Sequence, residues 1–145
     1  MRDKAVLVET TILVDYLRGS EAAAEYLDKV RAEGDLICST VTQAELIVGS
    51  RTRGEIREID QLLARFQNEP IASGDSTRAF TWLRKYYHSR GVGFHDCLLG
   101  ATAVRRKIPI ATLNEKHFKA LPSRSSGPTG RWQGRSEQAT LLPWT

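Results

Sequence analysis

Residues 5–8 of the chain read Ala-Val-Leu-Val and are followed at once by Glu9-Thr10-Thr11. A continuous apolar run that stops at a polar turn is typical of a parallel strand buried on both faces. An acid that ends such a strand loses its hydration, which is costly unless a partner compensates. We therefore predict a buried strand at 5–8 whose terminal acid, Glu9, needs partners.

Three further strand-like runs lie at 36–38, 70–72 and 108–111. The last contains Pro109, which cannot donate to a ladder and so belongs at the start or edge of a strand. The intervals between the runs carry apolar residues at helical spacing, which predict helices at 11–18, 21–33, 41–51, 56–66, 77–89 and 96–107. This alternation indicates an α/β fold, a three-layer α/β/α domain with a short, mostly parallel central sheet.

The composition is that of an ordinary globular protein. The 145 residues are 41% hydrophobic and 26% charged, and the formal charge of +4 tolerates a polyanionic partner without identifying one. No apolar run approaches the roughly 20 residues of a membrane span, and no signal-peptide pattern opens the chain, so we expect a cytoplasmic protein.

Cys38 and Cys97 lack neighbouring Cys or His at ligand spacing, which favours buried free thiols over zinc ligands.

The character of the chain changes after position 121. Residues 122–130 are rich in Pro, Ser and Gly, and the remainder to 145 has no clear period. We therefore divide the chain into a core domain at 1–121 and an atypical Ser/Gly/Pro-rich tail at 122–145. We expect the tail to be peripheral or to become ordered with a partner, and predict no strand in it.

Oxygen-bearing side chains follow the predicted strands. Glu9 ends the first strand, Glu45 lies about one turn into the helix after the second, and Asn114 follows the fourth. Asp96 opens a helix after the bend at 91–95. Ligands of open α/β sheets bind beyond the carboxyl ends of the strands, so these four side chains can converge there. Clustered carboxylates repel one another, and Mg²⁺ or Mn²⁺ resolves that repulsion and can activate water for phosphodiester cleavage.

Three of the four residues also fit structural roles. Glu45 follows Thr42 at capping-box spacing. Asp96 fits an N-cap or a first-turn acid, and Asn114 fits the cap of a short helix. The joint placement of all four at strand ends favours a metal cleft.

Four segments, in order along the chain, resemble the motifs of PIN domains. They are residues 6–17 (VLVETTILVDYL), 39–46 (STVTQAEL), 94–103 (FHDCLLGATA) and 110–118 (IATLNEKHF). The size and helical pattern look most like the VapC-type toxin ribonucleases of bacterial and archaeal toxin–antitoxin pairs. On this resemblance, residues 1–121 form a PIN-like nuclease domain.

The resemblance implies an endoribonuclease that cleaves structured RNA, such as tRNA or rRNA, with Mg²⁺ or Mn²⁺. It also implies a VapB-like antitoxin as a partner and a homodimer. Carried over by position, the three main acidic metal-binding and catalytic residues are Glu9, Glu45 and Asp96. Asn114 matches a fourth position, where the family has Asp or Asn.

Other residues take supporting roles by the same resemblance. Thr11 and Thr112 match hydroxyl positions that support the metal ligands, directly or through water. Apart from the resemblance, Arg18, Arg84 and Lys116 are candidates for holding the RNA backbone, although a solvated helix surface is the better explanation for any single one of them.

The first acidic position departs from the family, which normally has Asp where this chain has Glu9. One extra methylene moves the carboxylate by about 1.5 Å, comparable with a misplacement that costs roughly 10²-fold in rate. The alternative function is therefore a catalytically weakened PIN domain that binds RNA or its antitoxin. A nucleotide-binding or phosphoacceptor domain is disfavoured because the chain has no Gly-rich phosphate loop. The tail also departs, since the short final strand usual in the family is not recognisable after 121.

Overall fold

A computed structural model of the chain describes residues 4–122 and 140–142. Within them one sheet has the strand order β3-β2-β1-β4-β5. Its strands are β1 (Lys4–Val8), β2 (Gly34–Ser39), β3 (Gln67–Glu69), β4 (Ile110–Thr112) and β5 (Thr140–Leu142). The first four are mutually parallel and β5 runs antiparallel to β4. The predicted short, mostly parallel sheet is confirmed.

Helices cover both faces of the sheet. They are α1 (Thr10–Leu17), α2 (Glu21–Glu33), α3 (Thr40–Gly49), α4 (Arg53–Leu63), α5 (Ser73–Arg90), α6 (Phe94–Arg106) and α7 (Glu115–Lys119). The predicted helix at 21–33 is confirmed to the residue, because Ser20 caps its start through a side-chain bond to the N–H of Ala23 and Gly34 follows its end. None of the helices in the described part of the chain is long and apolar enough to cross a membrane.

The side chains of β1 alternate between two cores. Val6 and Val8 pack with α1, α2 and α4 on one face, whereas Leu7 packs with α5, α6 and α7 on the other. This alternation produces the predicted three layers, with β1 at the centre. Cys38 and Cys97 are buried free thiols in opposite cores, as expected.

The third strand lies at Gln67–Glu69, so the prediction of a strand at 70–72 is wrong. Pro70 has no N–H to give to a ladder, and β2 pairs with the three residues before it. The next helix, α5, begins at Ser73, four residues earlier than its apolar pattern indicates. Its first turn is polar. The Asp75 side chain caps this turn because its Oδ2 accepts a 3.0 Å hydrogen bond from the N–H of Ala72, the residue before the helix.

Two of the structural roles considered for the acids are wrong. Ser39 is the N-cap of α3, so Thr42 lies inside the helix and forms no capping box with Glu45. Gly93 is the N-cap of α6, which leaves Asp96 as an acid of the first turn. A negative charge in the first turn is favoured by the helix dipole. The Asp96 carboxylate is not the N-cap of the helix.

The prediction that no strand follows residue 121 is also wrong. Thr140–Leu142 forms β5, and its register pairs Leu141 with Ala111 of β4. The segment around β5 has no clear apolar period, and the position of this strand follows from its pairing with β4. The parts of the tail at 123–139 and 143–145 lie outside the described residues, and the division at 121 stays a prediction.

Candidate active site at the carboxyl edge of the sheet

Glu9 follows β1, caps the N-terminus of α1 and is only 7% exposed. Its Oε1 accepts hydrogen bonds from the hydroxyls of Thr11 at 2.7 Å and Thr112 at 2.6 Å. Its Oε2 accepts from the backbone N–H of Thr11 at 3.1 Å. The buried acid therefore has the hydrogen-bond donors that its position requires.

The same two hydroxyls join separate turns of the chain. Thr11 Oγ1 accepts from the N–H of Leu113 at 3.0 Å, and Thr112 Oγ1 accepts from the N–H of Asn114 at 2.8 Å. Each hydroxyl thus donates to Glu9 and accepts from the turn after β4. The structure brings Glu9, Thr11 and Thr112 into direct contact and fixes the β1–α1 turn against the β4–α7 turn.

The pKa of the Glu9 carboxyl lies above its ordinary value of 4.5. Burial is the largest cause of the increase, and the charge of Asp96 adds to it. The hydrogen bonds from Thr112 and Thr11 act in the opposite direction. Asp96 is thus close enough for its charge to act on the Glu9 carboxyl.

Glu45 is connected to this edge through Thr10. The Thr10 hydroxyl donates to Glu45 Oε1 at 2.9 Å and ties the first turn of α1 to α3. Because Thr10 directly follows Glu9, the contact ties Glu45 to the chain neighbour of the first acid. In the sequence, the only signal for Thr10 is its place between Glu9 and Thr11.

Asp96 has a partner that the sequence analysis also missed. The Nδ1 atom of His117, on α7, lies 3.2 Å from Asp96 Oδ2. Asp96 is half-buried and His117 is exposed. The contact joins the first turn of α6 to the helix that follows Asn114. The only signal for His117 is its position in the segment 110–118.

Asn114 occupies the N-cap position of α7, but its side chain makes no capping hydrogen bond, and the residue is exposed. Among the basic candidates, Lys116 is exposed two residues further on. Arg18 follows the C-terminal end of α1, opposite the end that Glu9 caps. Arg84 is exposed on α5. Of the three, Lys116 alone is within two positions of a predicted site residue.

The donor chemistry of this edge suits Mg²⁺ or Mn²⁺, which prefer oxygen ligands. No three His, Cys, Asp or Glu side chains within 4–122 already stand together at ligand geometry. Glu9 Oε1 accepts two O–H donors, whereas Oε2 accepts one N–H and keeps an available lone pair. A divalent cation would also relieve the repulsion between Glu9 and Asp96. The residues therefore fit such an ion in the chemistry of their donor atoms.

A groove of about 580 Å³ is lined in part by Glu45. Val48 and Ile71 contribute to its largely apolar lining, and His95, which precedes Asp96 in the chain, also lines it. Val48 is 85% exposed on α3. The groove extends the site away from the strand ends.

A second charged cluster holds the other end of α6. Arg105 donates to Asp75 Oδ1 from Nε at 2.8 Å and to Glu69 Oε2 from Nη2 at 2.8 Å. Arg106 also pairs with Glu69, and the Thr102 hydroxyl donates to Asp75. These contacts tie β3, α5 and α6 together. The cluster is a structural support for the helix that carries Asp96.

The fold and the acidic edge together define an α/β/α domain with a carboxylate site at the ends of parallel strands. A family model described as PIN domain matches residues 6–123. The chain therefore belongs to the PIN domain family, and the resemblance seen in the sequence is confirmed.

Two similar curated proteins come from Mycobacterium tuberculosis. The protein named ribonuclease VapC10 is 40% identical over 114 residues, covering 78% of this chain and 85% of the relative. The protein named ribonuclease VapC19 is 34% identical over 121 residues, covering 80% of this chain and 94% of the relative.

Solved structures share the fold. VapBC2 from Rickettsia felis, bound to a DNA fragment from its promoter, matches with a TM-score of 0.71 at 21% identity, over 81% of this chain and 93% of that chain. A toxin–antitoxin complex from Klebsiella pneumoniae matches with a TM-score of 0.67 at 24% identity, over 81% and 92%. At these identities the similarity establishes the architecture.

Proposed function

We propose that this chain is the toxin of a VapBC-type toxin–antitoxin system and a Mg²⁺- or Mn²⁺-dependent endoribonuclease that cleaves structured RNA such as tRNA or rRNA. One observation carries the proposal. The charge of Asp96 acts on the Glu9 carboxyl at the carboxyl edge of the sheet, and Glu45 is hydrogen-bonded to Thr10, the residue after Glu9. The two relatives named ribonuclease VapC10 and ribonuclease VapC19 support RNA as the substrate.

The proposed partners are a VapB-like antitoxin and a second copy of the chain. The structural similarity to toxin–antitoxin complexes supports the antitoxin. The exposed apolar side chains Ile47 and Val48 on α3 and Ile71 nearby offer a surface for a protein contact.

In the proposed site, Glu9 Oε2, Glu45 and Asp96 would hold the ion, with Asn114 reaching it directly or through water. The bound ion would supply positive charge that polarises the scissile phosphate and makes the attacking water more acidic. The remaining side chains of the site would orient these ligands and the substrate.

The hydroxyls of this chain hold the carboxylates in place. Thr11 and Thr112 restrain Glu9 through Oε1 and leave Oε2 available. Thr10 restrains the carboxylate of Glu45. Lys116 offers a positive charge to the RNA backbone next to the site. Such restraint lowers the reorganisation needed when the substrate reaches its transition state.

One observation favours the second candidate, a catalytically weakened PIN domain that binds RNA or its antitoxin. Glu9 replaces the Asp that is usual in the family, and its Oε1 is fully engaged by two hydroxyls. A longer carboxylate already committed to hydrogen bonds binds an ion with less favourable geometry.

A cleavage assay decides between the two candidates. Purified protein is incubated with total tRNA or rRNA, with and without Mn²⁺, as wild type, Asp96→Ala and Asp60→Ala. Asp60 is an exposed acid on α4 and controls for the loss of one negative charge. We expect metal-dependent cleavage that falls by at least about 10²-fold in Asp96→Ala alone. Persisting cleavage in Asp96→Ala would overturn the site, and wild-type protein that binds RNA without cutting it would support the second candidate.

A further inference from the structure

The outer face of α5 carries two exposed aromatic side chains. Phe80 is 53% exposed and Tyr87 is 54% exposed. The adjacent face of the helix packs against the core through Ala79, Leu83 and Tyr86. Core packing therefore explains the inward residues of α5 and leaves the outward aromatics without a role in the fold.

The exposed aromatics belong to a continuous row. Phe80, Arg84 and Tyr87 are separated by four and three positions, which places them along one side of the helix. The guanidinium carbon of Arg84 lies 6.0 Å from the centre of the Phe80 ring, and the rings of Tyr87 and His88 meet edge-on at 5.2 Å. We call Phe80, Arg84, Tyr87 and His88 the α5 stripe.

The surroundings of the α5 stripe are positively charged. Residues 76–90 contain four Lys or Arg and no Asp or Glu. Arg90 is engaged by the carbonyl of Ala120 at 2.6 Å, whereas Arg84 and Lys85 are exposed. The helix that carries the α5 stripe therefore has an excess of positive charge, which favours contact with a polyanion.

The α5 stripe also leads toward the candidate active site. Only residues 91–93 join the end of α5 to the start of α6, whose first turn carries Asp96. At 1.5 Å per helical residue, Phe80 and Tyr87 are about 10 Å apart along the axis, the span of about three stacked nucleotides. The C-terminal end of the α5 stripe therefore lies a short loop away from the helix that carries Asp96.

We propose that the α5 stripe binds a single-stranded segment of RNA that flanks the scissile phosphate. Unpaired bases stack on Phe80 and Tyr87, and Arg84 contacts the backbone. Aromatic stacking with an interleaved cation is the usual basis of single-strand binding, and it tolerates many sequences. The identification of the polyanion as RNA rests on the proposed function. The exposed aromatic and basic side chains are observed independently of that function.

The test measures binding without cleavage. Fluorescence anisotropy follows a labelled 20-nucleotide oligouridine in buffer with EDTA. Phe80→Ala/Tyr87→Ala should weaken binding about tenfold or more, whereas Phe80→Trp/Tyr87→Trp, which keeps the stacking surface, should stay near wild type. Arg84→Gln should reduce the slope of log affinity against log salt by about 0.7. Arg57→Gln, an exposed arginine on α4, is the matched control.

Unchanged affinity in Phe80→Ala/Tyr87→Ala would overturn the proposal. A change of oligomeric state in that variant, measured by light scattering, with RNA affinity retained would overturn it in favour of a contact between two copies. Circular dichroism checks that the variants fold, and if the double variant does not, an unchanged salt slope in Arg84→Gln overturns the proposal instead. Because binding is measured in EDTA, failure of the nuclease proposal appears separately, as wild-type protein that binds this RNA but cleaves none.

Discussion

The hydroxyl of Thr112 lies 2.6 Å from Oε1 of Glu9 and joins residues 103 positions apart in the chain. The parallel pairing of Val8 with Ala111 sets this contact, because the next residue of each strand then lies at the same edge. Thr112 satisfies a buried carboxylate and at the same time accepts the N–H of Asn114. A single hydroxyl thus supports both the fold and the candidate site.

Removal of this hydroxyl should destabilise the protein. Thr112→Val keeps the shape of the side chain but leaves Glu9 without one donor and Asn114 N–H without its acceptor. We expect the free energy of unfolding to fall by about 1–3 kcal/mol, measured by urea denaturation. Thr81→Val is the control, since that exposed hydroxyl bonds only within α5 and its loss should cost less than about 0.5 kcal/mol. Equal losses in the two variants would contradict a special role for the Glu9 contact.

The raised pKa of Glu9 predicts a pH-dependent stability. The folded state holds the Glu9 proton more tightly than the unfolded state, so this residue stabilises the fold below pH 4.5. That contribution is lost as the pH rises from 4.5 through the raised pKa. Relative to Glu9→Gln in metal-free buffer, the wild type should lose stability over this range. Parallel stability curves for the two proteins would show that Glu9 has an ordinary pKa.

Elements with strong local patterns were predictable from the sequence. The apolar run at 5–8 and the capped segment at 21–33 carry their own signals, and both formed as expected. The strands β3 and β5 have three residues each, and their positions follow from pairings such as Ser39 with Glu69. Those pairings are tertiary, so no local period reports them.

The contacts of the candidate site also divide into those that the sequence predicts and those that depend on tertiary structure. Contact of Glu9 with Thr112 follows from adjacent parallel strands whose ends meet at one edge. The Thr10–Glu45 hydrogen bond depends on the rotation of α1 about its axis, which cannot be predicted before the start of the helix is known. The apolar pattern predicts that α1 begins at Thr11, one residue late, and therefore assigns no role to Thr10.

The support beneath α6 should contribute strongly to stability. Arg105 donates to both oxygens of Asp75, at 2.8 Å and 3.0 Å, and Asp75 is only 2% exposed. Arg105→Met leaves that carboxylate buried and without its cation. We expect a loss of about 3 kcal/mol, at the lower end for a buried pair because the arginine side chain is 34% exposed. Arg51→Met breaks an exposed pair with Glu55 and should cost less than about 1 kcal/mol.

The loss of stability in Arg105→Met should depend on pH. Burial tends to raise the pKa of Asp75, but the hydrogen bonds and charge of Arg105 and the N–H of Ala72 hold it below 3.8. Stability from this ionised carboxyl is present above pH 3.8 and is lost as the pH falls through the lowered pKa. The deficit of Arg105→Met should therefore shrink in acid. A deficit that does not change with pH would assign the loss to packing instead.

Glu9→Asp tests whether the extra methylene limits catalysis. The shorter carboxylate withdraws from the hydroxyls of Thr11 and Thr112 and restores the residue usual in the family. If the present geometry is unfavourable for the ion, kcat with Mn²⁺ should rise, by up to about 10²-fold, while stability falls through the weakened hydrogen bonds. Single-turnover cleavage and urea denaturation measure the two effects separately. Unchanged kcat would mean that Glu9 Oε2 already serves as well as an aspartate, and a fall in kcat would mean that the contacts to both hydroxyls are needed for activity.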